Sequence, residues 1–293
     1  MKILLISLQM ILLLGILNGK ARIFSNNAGK DITLDELGRE LMAYDVIFFG
    51  EEHGNPTLHQ LQRELLPCLQ KTGQSLILSF EMWERDTQSV LDAFLASEIT
   101  EDDFVKRSRV WNNYPSDYRP LIMFAKEQQL QTIAANVPQV YAAMVARGGW
   151  DFIHDLPLEQ RKMIATRLNA PDDAYRASFY ETMNRMGGHV FDKTILENYY
   201  KAQCMKDETM AESIYMALQE HPDARVLHFN GTFHSQDFLG TVARLQTLAP
   251  ELKIAVISPM PHDDWRELMP DQNQIKAGTH LILLPKDNDG EQQ

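Results

Sequence analysis

The chain is expected to fold as an α/β protein: a mainly parallel sheet flanked by helices, with an all-α insertion between the third and fourth core strands. Three observations carry this expectation. Short, mostly apolar runs such as Val46 to Phe49 and Leu76 to Phe80 suit strands covered on both faces. The first two runs are joined by a loop and an amphipathic helical pattern within about 35 residues, the size of one βαβ unit with a right-handed crossover. From Val137 to Asp223 no strand-like run occurs, whereas helical patterns do.

At the N-terminus, Lys2, the apolar stretch Ile3 to Leu17 and the small residues flanking Lys20 in Gly19-Lys20-Ala21 have the grammar of a secretory signal peptide. The run is shorter than the roughly 20 apolar residues that span a bilayer, and Ser7 and Gln9 interrupt it. Residues 1–21 are therefore expected to be removed and 22–293 to form the mature periplasmic domain. No cysteine follows the apolar core, so a lipid anchor is not expected.

Thr33-Leu34-Asp35-Glu36 reads as a capping box opening a short helix ahead of strand Val46 to Phe49. After the loop from Glu51 to Pro56, Thr57 is expected to cap a helix with Leu58, Leu61, Leu65, Leu66 and Leu69 on one face. Strand Leu76 to Phe80 follows, then helices near Gln88 to Ala96 and Pro120 to Gln129, then strand Thr132 to Ala135. The insertion, about 139–222, is expected to be helical over Leu158 to Leu168, Pro171 to Met186 and Phe191 to His221. Strand Arg225 to Phe229, a helix from Ser235 and strands Ile254 to Ser258 and His280 to Leu284 complete the pattern.

The charge balance is 28 basic against 40 acidic residues, a formal net charge of −12, with no dense Lys/Arg block. Nucleic-acid binding is excluded on that ground. Within this acidic chain the segment Arg147 to Lys201 is neutral, with eight basic and eight acidic residues, so it is the least repulsive surface for an anionic ligand. Cys68 and Cys204 are too few for a disulfide scaffold and are expected to be free, buried thiols. The sequence has no Walker loop, G-x-S-x-G elbow, H-E-x-x-H pair, CxxC pair or GxGxxG fingerprint, which removes nucleotide binding and serine-hydrolase chemistry.

In open parallel sheets ligands bind beyond the carboxyl ends of the strands. Here those positions hold Glu52 and His53, then Glu81, then Asn136, then His234 within Asn230-Gly231-Thr232-Phe233-His234. His53, Glu81 and His234 are the donor types that could ligate a divalent transition metal, or act without one as acid and base. On the long insertion helix, Leu196, Tyr199, Gln203, Asp207, Met210, Ile214 and Ala217 trace one face whose middle, Gln203 and Asp207, is polar. That face either turns to a wet pocket, meets a partner such as Arg85, or rotates to solvent. The insertion also carries what a haem site needs: an apolar face of Tyr175, Phe179, Met183 and Met186, several tyrosines and histidines, and Arg176 and Arg185 as cations.

The runs Gly50-Glu51-Glu52-His53-Gly54-Asn55-Pro56, Phe80-Glu81-Met82-Trp83-Glu84-Arg85-Asp86, Tyr200 to Ala211 and Phe229-Asn230-Gly231-Thr232-Phe233-His234 together resemble the ChaN-like family of haem-binding iron-regulated proteins, part of the haem-uptake and Tiki superfamily. The resemblance implies an α/β core with a helical insertion, an envelope location, haem binding linked to iron acquisition with other envelope haem-transport components, and a tyrosine ligand to haem iron at a subunit interface, hence a homodimer. Tiki and erythromycin-esterase relatives use a similar G-x-x-H, Glu and His constellation for hydrolysis, which falls here on His53, Glu81 and His234 and makes a metal-dependent hydrolase the alternative reading. The matched motifs do not contain the ligand tyrosine. Tyr199 is preferred because it shares a helix face with Gln203 and Asp207, with Tyr180, His189 and Arg176 as further haem-binding candidates.

Overall fold

The computed structural model describes residues 16–17, 19–71, 73–187 and 192–286. The leader up to residue 15 and His189 lie outside the described residues.

Strands β1 (Ile16–Leu17), β2 (Ala21–Ser25) and β3 (Lys30–Ile32) precede helix α1 (Leu34–Glu40) and the first core strand β4 (Val46–Glu51). Then come α2 (Pro56–Gln70), β5 (Leu76–Glu84), α3 (Gln88–Leu95), α4 (Glu101–Arg107), α5 (Arg119–Glu127) and β6 (Thr132–Asn136). The insertion consists of α6 (Gln139–Gly148), α7 (Leu158–Arg161), α8 (Ala174–Gly187) and α9 (Lys193–Glu220). Strand β7 (Arg225–Gly231), helix α10 (Gly240–Leu248) and strands β8 (Ile254–Pro261) and β9 (His280–Leu284) follow.

One sheet runs in the order β1-β2-β9-β8-β4-β7-β5-β6, with β3 paired to β2. From β9 to β6 every pairing is parallel, as the continuous apolar strands require. The antiparallel edge of β1, β2 and β3 was not expected; β2 is wholly buried, anchored by Arg22, which pairs with Asp31 at 2.7 Å and donates to the Trp265 carbonyl. Leucines of α2 pack with Phe49, Phe80, Trp83 and Phe229 on one face of the sheet. Ala211, Ile214 and Val242, from α9 and α10, pack on Phe48, Val226 and Val256 on the other.

Several boundaries differ from the sequence expectation for physical reasons. The capping box is present, with Thr33 accepting from the Glu36 amide and Glu36 from the Thr33 amide. Helix α2, however, is capped by Asn55, whose Oδ1 accepts from the amides of Thr57 and Leu58. Pro56 takes the first helical position, which has no use for an amide hydrogen, and so moves the cap two residues back from Thr57. The helix expected over Leu158 to Leu168 ends at Arg161, and the one expected from Ser235 begins only at Gly240, after two 3-10 turns. Cys68 and Cys204 are free. Among the described residues no helix is long and apolar enough to cross a membrane.

Candidate functional site

Strand β4 lies between β8 and β7, and β7 lies between β4 and β5, so the carboxyl ends of β4, β7 and β5 form one continuous rim with β6 beside them. The chain reaches β5 and β6 on one side of β7 and β8 and β9 on the other; this reversal opens a crevice where ligands bind in such sheets. Glu81 reaches the crevice because the β5 to β6 register shifts between Phe80 and Glu84, where Phe80 pairs with Ala134 but Glu84 with Asn136. Such irregularities re-aim side chains beside functional sites. Asn136 Nδ2 donates to the Glu81 carbonyl at 3.0 Å and fixes that bend.

The four strand-end residues meet. Glu81 Oε2 accepts the Gly231 amide at 2.6 Å, and its Oε1 lies 3.3 Å from His234 Nε2. The other ring nitrogen of His234 lies 2.7 Å from Asp207 Oδ1. Gly231 is where His53 comes closest: a Cβ built there would sit 2.8 Å from His53 Nε2 and 3.5 Å from Glu81 Oε2, so only glycine leaves the room. His53 Nδ1 in turn meets Glu51 Oε1 at 2.9 Å. The result is a chain of alternating carboxylates and imidazoles: Glu51, His53, Glu81, His234, Asp207.

Its charges follow from burial and neighbours. Burial alone would lower the pKa of His234, but the carboxylates of Glu81 and Asp207 outweigh it and raise the ring to about 10, so His234 is a buried imidazolium. Burial would raise the Glu81 carboxyl, yet the charges of His234, His53 and Lys206 hold it below the usual carboxylate range. For His53 burial again opposes, and the hydrogen bond to Glu51 and the charge of Glu81 raise its pKa. Beneath, in β7, His228 is driven down to about 3 by burial and is neutral, with Nδ1 2.8 Å from Ser79 Oγ.

Both ends of the chain are braced by further residues, of which only Tyr175 carried a signal in the sequence, and that as part of an apolar face. Tyr118 donates to Glu51 Oε1 at 2.6 Å and Gln62 donates to Glu51 Oε2 at 2.5 Å. Gln62 is oriented by His59 at 2.9 Å, which faces Asp117 on its other nitrogen. Burial and the Glu51 charge push the Tyr118 phenol well above its ordinary value, so it keeps its proton and remains a donor. At the other end Asp207 accepts from Tyr175 at 2.7 Å and Thr241 at 2.8 Å. Arg85 does not reach it. That guanidinium is held further along α9 by Ser213, Glu212 and the Thr209 carbonyl. The carboxylate buried against His53 is Glu51, an extension of β4 that the sequence reading placed in the loop, while Glu52 is half-buried.

In this structure the trio of His53, Glu81 and His234 is engaged internally, with the His234 ring held between the carboxylates of Glu81 and Asp207. Among the described residues no group of three or more His, Cys, Asp or Glu has metal-holding geometry. What the arrangement can do is acid–base work, with His53 oriented through Nδ1 by Glu51 and half-exposed on the crevice side.

The haem candidates spread along α8 and α9. Tyr175 and Tyr200 are fully buried, their hydroxyls donated to Asp207 and to the Pro171 carbonyl. Tyr180 and Arg176 are both committed to Glu197. Tyr199 is 36% exposed, one helical turn before Gln203, whose amide contacts Tyr175 at 3.1 Å and the His234 ring at 3.3 Å. Gln203 and Asp207 thus face a polar crevice, which accounts for the polar middle of that helix face.

A family model described as haem-binding uptake, Tiki superfamily, ChaN matches residues 37–245. The chain belongs to this family. Its ChaN core includes β4, β5, β6, β7 and the whole insertion, and therefore every residue of the rim. Among curated proteins none matches the sequence. Among solved structures, the ChaN of Campylobacter jejuni, described with cofacial haem binding, superposes with a TM-score of 0.66 at 16% identity, covering 91% of this chain and 98% of that one. This likeness establishes the shared ChaN fold. An erythromycin esterase mutant, EreC, in its open conformation aligns with a TM-score of 0.44 at 13% identity over 78% of this chain and 73% of that one. The effector domain RRSP of a Vibrio vulnificus toxin aligns with a TM-score of 0.45 at 15% identity over 90% of this chain and 40% of that one.

Proposed function

We propose that this ChaN-family protein binds haem on the crevice face of α9, with the Tyr199 hydroxyl as the iron ligand, in the periplasm and in the service of haem or iron uptake. The observation that carries the reading is the placement of Tyr199. It is the accessible member of the tyrosine set on α8 and α9, and it stands on the turn above Gln203 and the rim. Ile195, one turn earlier, is 44% exposed and supplies an apolar surface for a porphyrin edge. Lys206, seven residues on and so on the same face, carries the positive charge felt by Glu81 and is placed to meet a propionate.

A haem bound this way supplies a ferric centre for a tyrosinate. The chain's own residues supply the phenol, the apolar edge, the cation and a rigid polar floor built on His234. Exposed apolar side chains on the insertion, Val140 and Met144 on α6 with Ile195 on α9, support a homodimer that covers the haem. Titration with hemin followed by absorbance tests the reading: saturable binding with a tyrosinate-type Soret band is expected, and its absence at micromolar hemin overturns it.

A second reading is favoured by one feature, the dyad of Glu51 and His53. An imidazole held through Nδ1 by a buried carboxylate presents Nε2 as a general base, so a hydrolase of the Tiki and erythromycin-esterase type working without metal fits the same rim. Ester turnover abolished by His53→Ala would support it, and no turnover across an ester panel would remove it.

A further inference from the structure

A cavity of about 630 Å³ opens among the short helices of the insertion and against α9. Trp150, Ile153, Leu158, Ile164, Leu168 and Met216 make its walls largely apolar. The charged part of the lining is Arg85, Arg161 and Lys162 against the carboxylate of Glu212, with His154 and Thr166 as further polar residues. Glu212 is already committed, bonded to Arg85 at 3.1 Å and accepting the Thr166 amide at 2.8 Å. Among the described residues the Arg161 guanidinium has no hydrogen-bond or ion-pair partner, and the Lys162 ammonium pairs with the exposed Glu159 at 2.7 Å. A second cavity, of about 420 Å³, shares Arg85, Lys162 and Met216 and continues along α9 towards Thr132 and Ala134 at the sheet edge.

The size is that of a small-molecule site, roughly 300 to 1,000 Å³. In a chain of net charge −12, an apolar hollow that keeps two cations, Arg161 and Lys162, beside the neutralised Arg85–Glu212 pair complements one chemistry: a hydrocarbon body with an anionic end. We propose that this cavity binds an apolar molecule bearing a carboxylate, the carboxylate at Arg161 and Lys162 and the hydrocarbon along Trp150, Ile164 and Met216. It is distinct from the haem surface proposed above, because Glu212 lies about 140° round α9 from Tyr199.

A long acyl carboxylate and the propionate-bearing edge of a porphyrin share this chemistry. Both are tested on the full chain by titration with dodecanoate and with metal-free protoporphyrin IX, neither of which offers iron to Tyr199. Binding is read by tryptophan fluorescence and by calorimetry. Saturable binding of dodecanoate assigns the site to acyl carboxylates, and saturable binding of protoporphyrin alone assigns it to a porphyrin. In either case Trp150→Phe removes most of the fluorescence change while calorimetric binding persists. The double substitution of exposed residues, Arg161→Glu with Lys162→Glu, raises Kd at least tenfold, and Tyr199→Phe leaves it unchanged. No saturable binding of either probe overturns the proposal. So does dodecanol binding the wild-type protein as tightly as dodecanoate, or an unchanged Kd in a folded charge-reversed variant.

Discussion

His234 faces Glu81 across 3.3 Å on one ring nitrogen while it holds Asp207 at 2.7 Å on the other. One buried imidazolium therefore compensates two buried carboxylates, and it ties strand β5, helix α9 and the turn after β7 into a single unit. The turn is locked from behind as well. Gly240 adopts φ +53°, and a Cβ there would come within 2.6 Å of the His234 carbonyl oxygen. Haem binding at Tyr199 would depend on this unit, since Gln203 links the helix to the His234 ring.

Removing the imidazole leaves Glu81 and Asp207 without their counter-charge. His234→Ala is expected to destabilise the fold by about 3 to 5 kcal/mol, the range for breaking a buried ion pair. Urea unfolding measures it. A loss below about 1 kcal/mol, the scale of an exposed pair, would show that the rim is solvated rather than sealed.

The same pair sets a pH dependence. A histidine whose folded pKa is raised to about 10 from the ordinary 6.5 contributes stability that is complete below pH 6.5 and is lost as pH rises through 10. Glu81, held down, and His228, driven to about 3, work in the opposite sense: their contributions are present above their ordinary values of 4.5 and 6.5 and are lost as pH falls. Stability is thus expected to be greatest near pH 6.5 and to decline on both sides. Thermal melts of His234→Gln should lose most of the decline between pH 6.5 and 10; an unchanged slope would place the alkaline titration elsewhere.

Gly231→Ala puts a methyl group 2.8 Å from His53 Nε2. The His53 ring is half-exposed and can give way outward at the expense of its bond to Glu51, so the cost in stability is expected to stay near 1 kcal/mol. What should change is the ring itself. With Glu81 and Glu51 further away, its raised pKa falls back towards 6.5, read by NMR titration of the imidazole protons. A pKa that does not move would mean that the crevice has slack the packing does not show.

Tyr118→Phe removes a 2.6 Å donor from the fully buried Glu51. A loss of about 1 to 3 kcal/mol is expected for a buried acceptor left short of a partner, measured by chemical unfolding. Gln62→Leu should cost a similar amount, because Gln62 fills the other oxygen of the same carboxylate.

The rim was readable in the sequence wherever a functional residue lies at or shortly after the end of an apolar run. Glu81 and Asn136 stand at the ends of the apolar runs of β5 and β6, and His53 and His234 come two and three residues beyond β4 and β7; those runs were visible by composition. Glu51 was hidden because β4 runs on to it, past the glycine that looked like a strand end. Gln62 and Tyr118 come from a helix and a turn, and Tyr118 lies 67 residues from the carboxylate it serves. No local pattern marks such a partner. Arg85 looked like a counter-ion for Asp207, but the helix carries Ser213 and Glu212 to it first. The antiparallel edge was missed because β1 and the first residue of β2 fall inside the stretch read as a leader, and the five residues of β2 show no polar–apolar alternation.

The most direct test of the haem reading is the Soret and resonance Raman spectrum of the hemin complex of the wild-type protein beside those of Tyr199→Phe and Tyr180→Phe. Tyrosinate signatures and saturable binding in the wild type and in Tyr180→Phe, both lost in Tyr199→Phe, are the predicted result. Tyrosinate ligation that survives in Tyr199→Phe would contradict the assignment.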